Sequence, residues 1–215
     1  MIEGLFIALE GVDGAGTTTH TKILMERLGA RGLPTHSTRE PSDGPIGTMI
    51  RQILSGRLVV RGVSGPRPPS WTTMALLFAA DRTDHVEAEI VPNLMDGVTV
   101  ISDRYVHSSV AYQSLSSGGG EDSIRWVREI NAEARRPDLT IVLDVTAETA
   151  NSRRDDRGGR AELYEYEELQ ISLADFYTNI EKHFPGESIV HVDGNGSIEE
   201  VAEAVYAAVC KARGE

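Results

Sequence analysis

Short apolar runs alternate along the chain with longer stretches whose apolar residues recur every three or four positions. Leu5-Phe6-Ile7-Ala8-Leu9, Val98-Thr99-Val100-Ile101, Leu139-Thr140-Ile141-Val142-Leu143 and Ser188-Ile189-Val190-His191-Val192 have strand length and little polar interruption. Residues 34–38 supply a fifth, weaker strand. Between them the helical period predicts helices over 18–31, with Ile23, Leu24 and Leu28 as the buried stripe and Gly32 as the stop, and over 46–54, 72–94 and 198–212. Residues 62–70, with three prolines and two glycines, read as a loop. Apolar strands separated by helices predict an α/β fold, a five-stranded parallel sheet covered on both faces. No linker or internal repeat divides the chain, so residues 1–215 read as a single domain.

In such folds ligands gather at the carboxyl ends of the strands. The first predicted strand ends at Glu10 and runs into Gly11-Val12-Asp13-Gly14-Ala15-Gly16-Thr17-Thr18. The phosphate-binding loop pattern is G-x-x-x-x-G-K-S/T. Gly11 and Gly16 have that spacing, and Thr18 stands where a magnesium-binding hydroxyl belongs. Thr17 stands where the lysine should be. Strand, glycine loop and helix form the arrangement in which backbone N–H groups and a helix N-terminus meet a phosphate. A plain glycine-rich turn is the other reading of this segment alone. The remaining strand ends carry Thr38-Arg39-Glu40-Pro41, Ser102-Asp103-Arg104-Tyr105 and Asp144. An Asp-Arg pair after a strand can be a structural ion pair. Beside a phosphate loop, the acid can hold a metal-bound water and the arginine can clamp a phosphoryl group.

Charge narrows the ligand. The chain has 33 acidic and 21 basic residues, a net charge of −12, which repels a nucleic acid polymer unless a basic stripe opposes it, and the sequence presents none. A few clustered arginines can still hold a small anion. No apolar stretch approaches the roughly 20 residues that span a bilayer, so no membrane partner is expected. The absence of a basic and apolar leader points to a cytoplasmic location. Cys210, in the apolar pattern of Val201, Val205 and Val209, reads as a small buried hydrophobe. His20 and His107 lie near the proposed site without metal-ligand spacing, and read as surface or supporting residues. Residues 116–120 read as a flexible loop and not a second phosphate cradle.

Seven segments in register carry a family resemblance. Residues 10–16, Thr38-Arg39-Glu40-Pro41, Leu77-Phe78-Ala79-Ala80-Asp81-Arg82, Asp103-Arg104-Tyr105, Ala111-Tyr112-Gln113, Arg136-Pro137-Asp138-Leu139-Thr140 and Leu143-Asp144-Val145-Thr146 occur in the order seen in thymidylate kinases, across nearly the whole chain. The resemblance implies a nucleoside-monophosphate-kinase-like fold with a mobile lid at about 152–161. It implies ATP and dTMP as substrates, Mg2+ as cofactor and a homodimer built through helices. Gly11, Val12, Asp13, Gly14, Ala15, Gly16, Thr17, Thr18 and Thr19 then hold ATP, and Thr18 with Asp103 holds the metal. Asp13 resembles the carboxylate that meets the acceptor 3′-hydroxyl, and Arg39 a residue near the acceptor phosphate. Phe78 matches the ring on which thymine stacks, and Arg82 the side chain that reaches the base oxygen. Ser109 matches a polar reader of the base, and Tyr112 the ring that crowds the sugar 2′ position. Asp103 and Arg104 match the pair that positions metal and phosphates. Without the family, Phe78 reads as core packing and Tyr112 as an ordinary half-buried tyrosine.

The missing lysine sets the sharpest expectation. Unpaired phosphate charge in a partly desolvated site costs about 2–5 kcal/mol, or roughly 10²–10⁴ in rate. Arg153, Arg154, Arg157 and Arg160 lie within eight residues, on an expected loop whose glycine pair, Gly158-Gly159, permits movement. That string reads either as a solvated charge run or as the family's lid, whose arginines supply the charge that Thr17 lacks. Lys22 is a weaker source, since the helix turns it away from the loop. Two further readings stay open: a kinase for another, modified pyrimidine deoxynucleotide, and a non-catalytic nucleotide-binding module.

Overall fold

The structure is a computed structural model that describes residues 4–157, Tyr164 and 167–215; the side chains of 155–157 and 167 lie outside that description. Five strands, β1 (Phe6–Glu10), β2 (Thr35–Arg39), β5 (Thr99–Asp103), β6 (Leu139–Asp144) and β7 (Ile189–Asp193), form one sheet in the order β2-β5-β1-β6-β7. Every pairing is parallel, with Ile7 opposite Ile101 on one side and Leu139 on the other. β1 is central and buried throughout. Ile7 and Leu9 pack with Leu24 and Leu28 of α1 (Thr17–Ala30), while Phe6 and Ala8 pack with Ile90 and Leu94. Alternate residues of one strand thus enter separate cores, which is why the run shows no polar face.

The remaining helices are α2 (Pro45–Leu54), α3 (Trp71–His85), α4 (Val91–Met95), α5 (Val106–Leu115), α6 (Glu121–Ile130), α7 (Ala147–Arg157), α8 (Glu167–Thr178) and α9 (Ile198–Ala212). The helix expected over 72–94 forms as α3, a π-helical turn over Val86–Ile90, and α4. α9 matches its predicted bounds and starts in a capping box between Ser197 and Glu200.

Four expectations need correction. Residues 62–70 are not all loop: β3 (Val60–Gly62) and β4 (Gly65–Arg67) pair as a short antiparallel hairpin. Gly65, at φ 120°, makes that reversal possible. Arg153 and Arg154 sit on α7 and not on a loop; Arg160 and the side chain of Arg157 lie outside the described residues. Cys210 is half-buried, with an Arg31 nitrogen 3.8 Å from its sulfur. Of the two readings of His20 and His107, surface or supporting, the surface one fails, since both are buried.

Candidate active site

The loop between β1 and α1 needs its glycines for two reasons. Gly11, Gly14 and Gly16 all have positive φ, at 153°, 93° and 99°, where a side chain is strained. At Gly14 space is closed as well: a Cβ there would stand 2.5 Å from the carbonyl oxygen of Ala150. The backbone of α7 therefore rests directly on the loop. Thr17 opens α1 and is buried, and Thr18 follows it at the exposed end of the helix.

Asp103 and Arg104 do not bridge to each other. The Thr18 hydroxyl donates a short hydrogen bond to Asp103 Oδ2, and Asp103 Oδ1 is buried without a partner among the described residues. A hydroxyl beside a carboxylate with one uncommitted oxygen suits a hard cation that keeps several waters and phosphate oxygens, as Mg2+ does. No group of three or more His, Cys, Asp or Glu among the described residues forms a larger cage. Arg104 takes a left-handed conformation, φ 69°, held by its N–H donating to Leu9 O at 2.9 Å. Its guanidinium donates to Gly11 O at 2.8 Å, Ser108 Oγ at 3.1 Å and Asp13 Oδ1 at 2.8 Å. Burial opposes its charge, but Tyr112, Asp13, Tyr177 and Asp103 outweigh this and hold it protonated.

The arginines of α7 reach the same loop from the other side. Arg154 Nη1 donates to Asp13 O at 2.6 Å and to Gln170 Oε1 at 3.3 Å. Arg153 donates to Ala15 O at 3.3 Å and to Gly194 O at 2.9 Å. His20 lies buried beneath Gly16, and burial together with the Arg153 charge lowers its pKa. Lys22 is exposed on α1, as expected. Gln170, which the sequence did not single out, donates to Asp13 Oδ2 at 3.0 Å. Both oxygens of the Asp13 carboxylate are thus held, one by Arg104 and one by α8.

Glu10, legible only as a charged strand end, is an inner anchor. Its carboxylate accepts from the Tyr105 N–H at 2.8 Å, the Ser108 hydroxyl at 2.6 Å and the Tyr177 hydroxyl at 3.0 Å. Burial pushes its pKa up, but hydrogen bonding and the charge of His107 bring it below the ordinary value. His107 shifts the opposite way: burial disfavours its charge, while Glu10 and Glu187 raise its pKa.

The residues that the resemblance assigns to the acceptor form a separate group. Arg82, only 1% exposed, donates to Glu40, to Asn131 and to Ser109 Oγ at 2.9 Å. Its guanidinium carbon stands 5.1 Å from the Tyr105 ring centre. His85 Nδ1 lies 3.2 Å from the second Glu40 oxygen. Asp81, also buried, accepts from the Ser42 N–H at 2.7 Å and hydroxyl at 2.6 Å, which fixes the loop after β2. Phe78 is half-buried and packs against the Ile50, Ile53 and Met74 cluster. Tyr112 is buried, with Arg104 5.2 Å over its ring. Arg39 is exposed at the rim and paired with Asp43 at 2.6 Å. Sequence reasoning missed Asn131 and His85, which have no local signal because their partners lie 49 and 45 residues away.

A protein-family model described as thymidylate kinase matches residues 9–205. A "Probable thymidylate kinase" of Pyrococcus horikoshii is 38% identical over 208 residues, 97% of each chain. A relative so named from Pyrobaculum aerophilum is 41% identical over 173 residues, 80% of each chain. A "Thymidylate kinase" of Caldanaerobacter subterraneus subsp. tengcongensis is 34% identical over 210 residues, 97% of this chain and 96% of its own.

Proposed function

The chain belongs to the thymidylate kinase family of ATP-dependent nucleoside monophosphate kinases, and from that premise we propose that it transfers the γ-phosphoryl group of Mg-ATP to dTMP, giving dTDP and ADP. The observation that supports this most is the meeting of Thr18 with Asp103 and of Asp13 with Arg104, at the carboxyl ends of β1 and β5. Those four side chains belong to one cradle, and each has a task in phosphoryl transfer. Thr18 and Asp103 would hold the magnesium ion, which would supply positive charge to offset that of the phosphates. Arg104 aims its guanidinium along the loop and stabilises the equatorial oxygens of the transferred group. Asp13, fixed by Arg104 and Gln170, receives the acceptor sugar. Phe78 offers a ring face to the base, with Arg82 and Ser109 behind it.

The charge that Thr17 lacks comes, in this reading, from the arginines of α7 and the segment after it. Arg154 is the best placed of the described ones, since its guanidinium lies against the Asp13 end of the loop, whereas Arg153 turns toward Gly194. Arg157 and Arg160 complete the set in the lid at about 152–161. The whole of residues 1–215 then acts as one cytoplasmic kinase domain. A homodimer would use α2 and α3, which pack together and expose Met49 (42%) and Leu76 (53%). Among the described residues no helix is long and apolar enough to cross a membrane.

The test is ADP release from Mg-ATP with dTMP, dUMP, dCMP, dGMP or no acceptor. Turnover with dTMP alone, at about 1–100 per second, is expected. Turnover with a 5-modified deoxyuridylate in preference to dTMP would move the acceptor assignment. ATP binding without turnover on any acceptor would make the chain a nucleotide-binding module.

A further inference from the structure

The C-terminal end of α6 and the turn that follows it, with Phe184 and Glu187, line a half-open cavity of about 320 Å³. Ligand-sized pockets begin near this volume. Its wall carries Arg125, Arg128, Arg135 and Arg136 against two carboxylates, Glu129 and Glu187. This inverts the charge of a chain whose net balance is −12. Spread over twelve positions, the four arginines form no visible run in the sequence.

The charges are unequally committed. Arg125 is paired with Asp122 at 2.6 Å, and Arg135 with Asp138 at 2.9 Å. Arg128 has no ion pair among the described residues; its guanidinium lies 5.8 Å over the Phe184 ring. Arg136 is 4.0 Å from Glu187 and 72% exposed. Glu187 itself turns inward, where its carboxylate meets the buried His107 at 2.9 Å. Two guanidiniums therefore face the cavity, with Glu129 as the one remaining carboxylate among the described residues of its wall. Guanidinium pairs of this kind recognise phosphate oxygens by two-pronged hydrogen bonding.

We propose that this cavity binds a small phosphate-bearing anion between Arg128 and Arg136, outside the nucleotide site. Its floor communicates with that site through side chains already described. Asn131 lines the cavity and accepts from Arg82, and Glu187 reaches Glu10 through His107, whose Nδ1 lies 3.7 Å from Glu10 Oε1. An anion here bears on the acceptor group through one residue and on the strand before the glycine loop through two. That consequence rests on the proposed function, whereas the binding itself does not.

The test uses inorganic pyrophosphate as probe and the full chain labelled for amide NMR, with ADP present to occupy the glycine loop. Saturable shifts are expected at amides of residues 125–136 and 184–187. In Arg128→Glu/Arg136→Glu, two exposed changes that leave the core intact, those shifts should need at least about tenfold more pyrophosphate. Shifts confined to residues 11–19, or an unchanged midpoint in the double variant, would overturn the site. Because the readout is binding, it stands whether or not the protein phosphorylates dTMP.

Discussion

The two ends of the site are held by different means. At the glycine loop, position is set by backbone: three positive-φ glycines, the Ala150 carbonyl against Gly14, and arginines that donate to main-chain oxygens. At the end proposed for the acceptor it is set mainly by side chains, with Arg82, Glu40, His85, Ser109 and Asn131 closed into a buried network. A backbone-built site can lose an arginine and keep its shape. A side-chain-built site cannot lose a member without leaving a buried charge exposed to an apolar interior. Function and stability should therefore separate at the first end and coincide at the second.

The largest effect expected is at the second. Arg82→Met leaves the Glu40 carboxylate without its ion-pair partner and should cost about 3–5 kcal/mol of unfolding free energy, read as a lower urea midpoint. A variant as stable as the parent would show that the network is not what holds this end. Arg154→Ala should instead cut turnover roughly 10²-fold, about 2.7 kcal/mol, while the urea midpoint moves little. Equal losses of stability and turnover would erase the contrast. Gly14→Ala adds backbone strain of about 1–3 kcal/mol and presses on α7. The expected outcome is a KM for ATP raised about tenfold with the KM for the acceptor nearly unchanged; parallel rises would mean that the loop and the acceptor group are not independent.

The smallest effect is a difference in pH slope. The folded-state pKa of His20 is lowered by burial and by Arg153, from 6.5. Its contribution to stability is full above pH 6.5 and is lost as pH falls toward the lowered value, because the unfolded chain takes up the proton first. His107, whose pKa is raised by Glu10 and Glu187 against the opposing effect of burial, behaves in reverse: its contribution is full below pH 6.5 and is lost as pH rises through the raised value. Urea midpoints between pH 5 and 8 should flatten on the acid side in His20→Gln and on the alkaline side in His107→Asn. The same slope in both variants would contradict these assignments.

The contrast also explains what the chain discloses before it folds. β1, β5 and β6 are legible because strands buried on both faces must be apolar throughout. β2, with Thr35-His36-Ser37-Thr38-Arg39 at the sheet edge, is legible mainly from its place between two helices. α5 gives no amphipathic signal, since it buries His107, Ser109, Gln113 and Ser114 beside Val110 and Ala111. α6 and α8 do carry readable stripes, Ile124 with Val127 and Leu169 with Leu173 and Phe176, but they are short and stand between more prominent motifs. The glycine loop was readable as spacing. Its dependence on Ala150 was not, because nothing near residue 14 encodes a carbonyl 136 positions away. The acceptor network was readable as residue types through the family resemblance, but not as the closed set of partners that Asn131 and His85 complete.

Contact between Gly14 and α7 has a consequence for how the protein comes to be. The loop's own residues favour no single shape, as glycines cost the most conformational entropy to fix. Arg104 holds Gly11 and Asp13, and the rest of what fixes the loop arrives from the far half of the chain: Leu143, Ala150, Arg153 and Arg154. Contacts of such long sequence separation form late, after loop closure has been overcome. During synthesis, a nascent chain ending before residue 143 can pair β1 with β5 while its glycine loop still lacks these contacts. The segment most diagnostic of the family therefore depends for its geometry on the half of the chain made last.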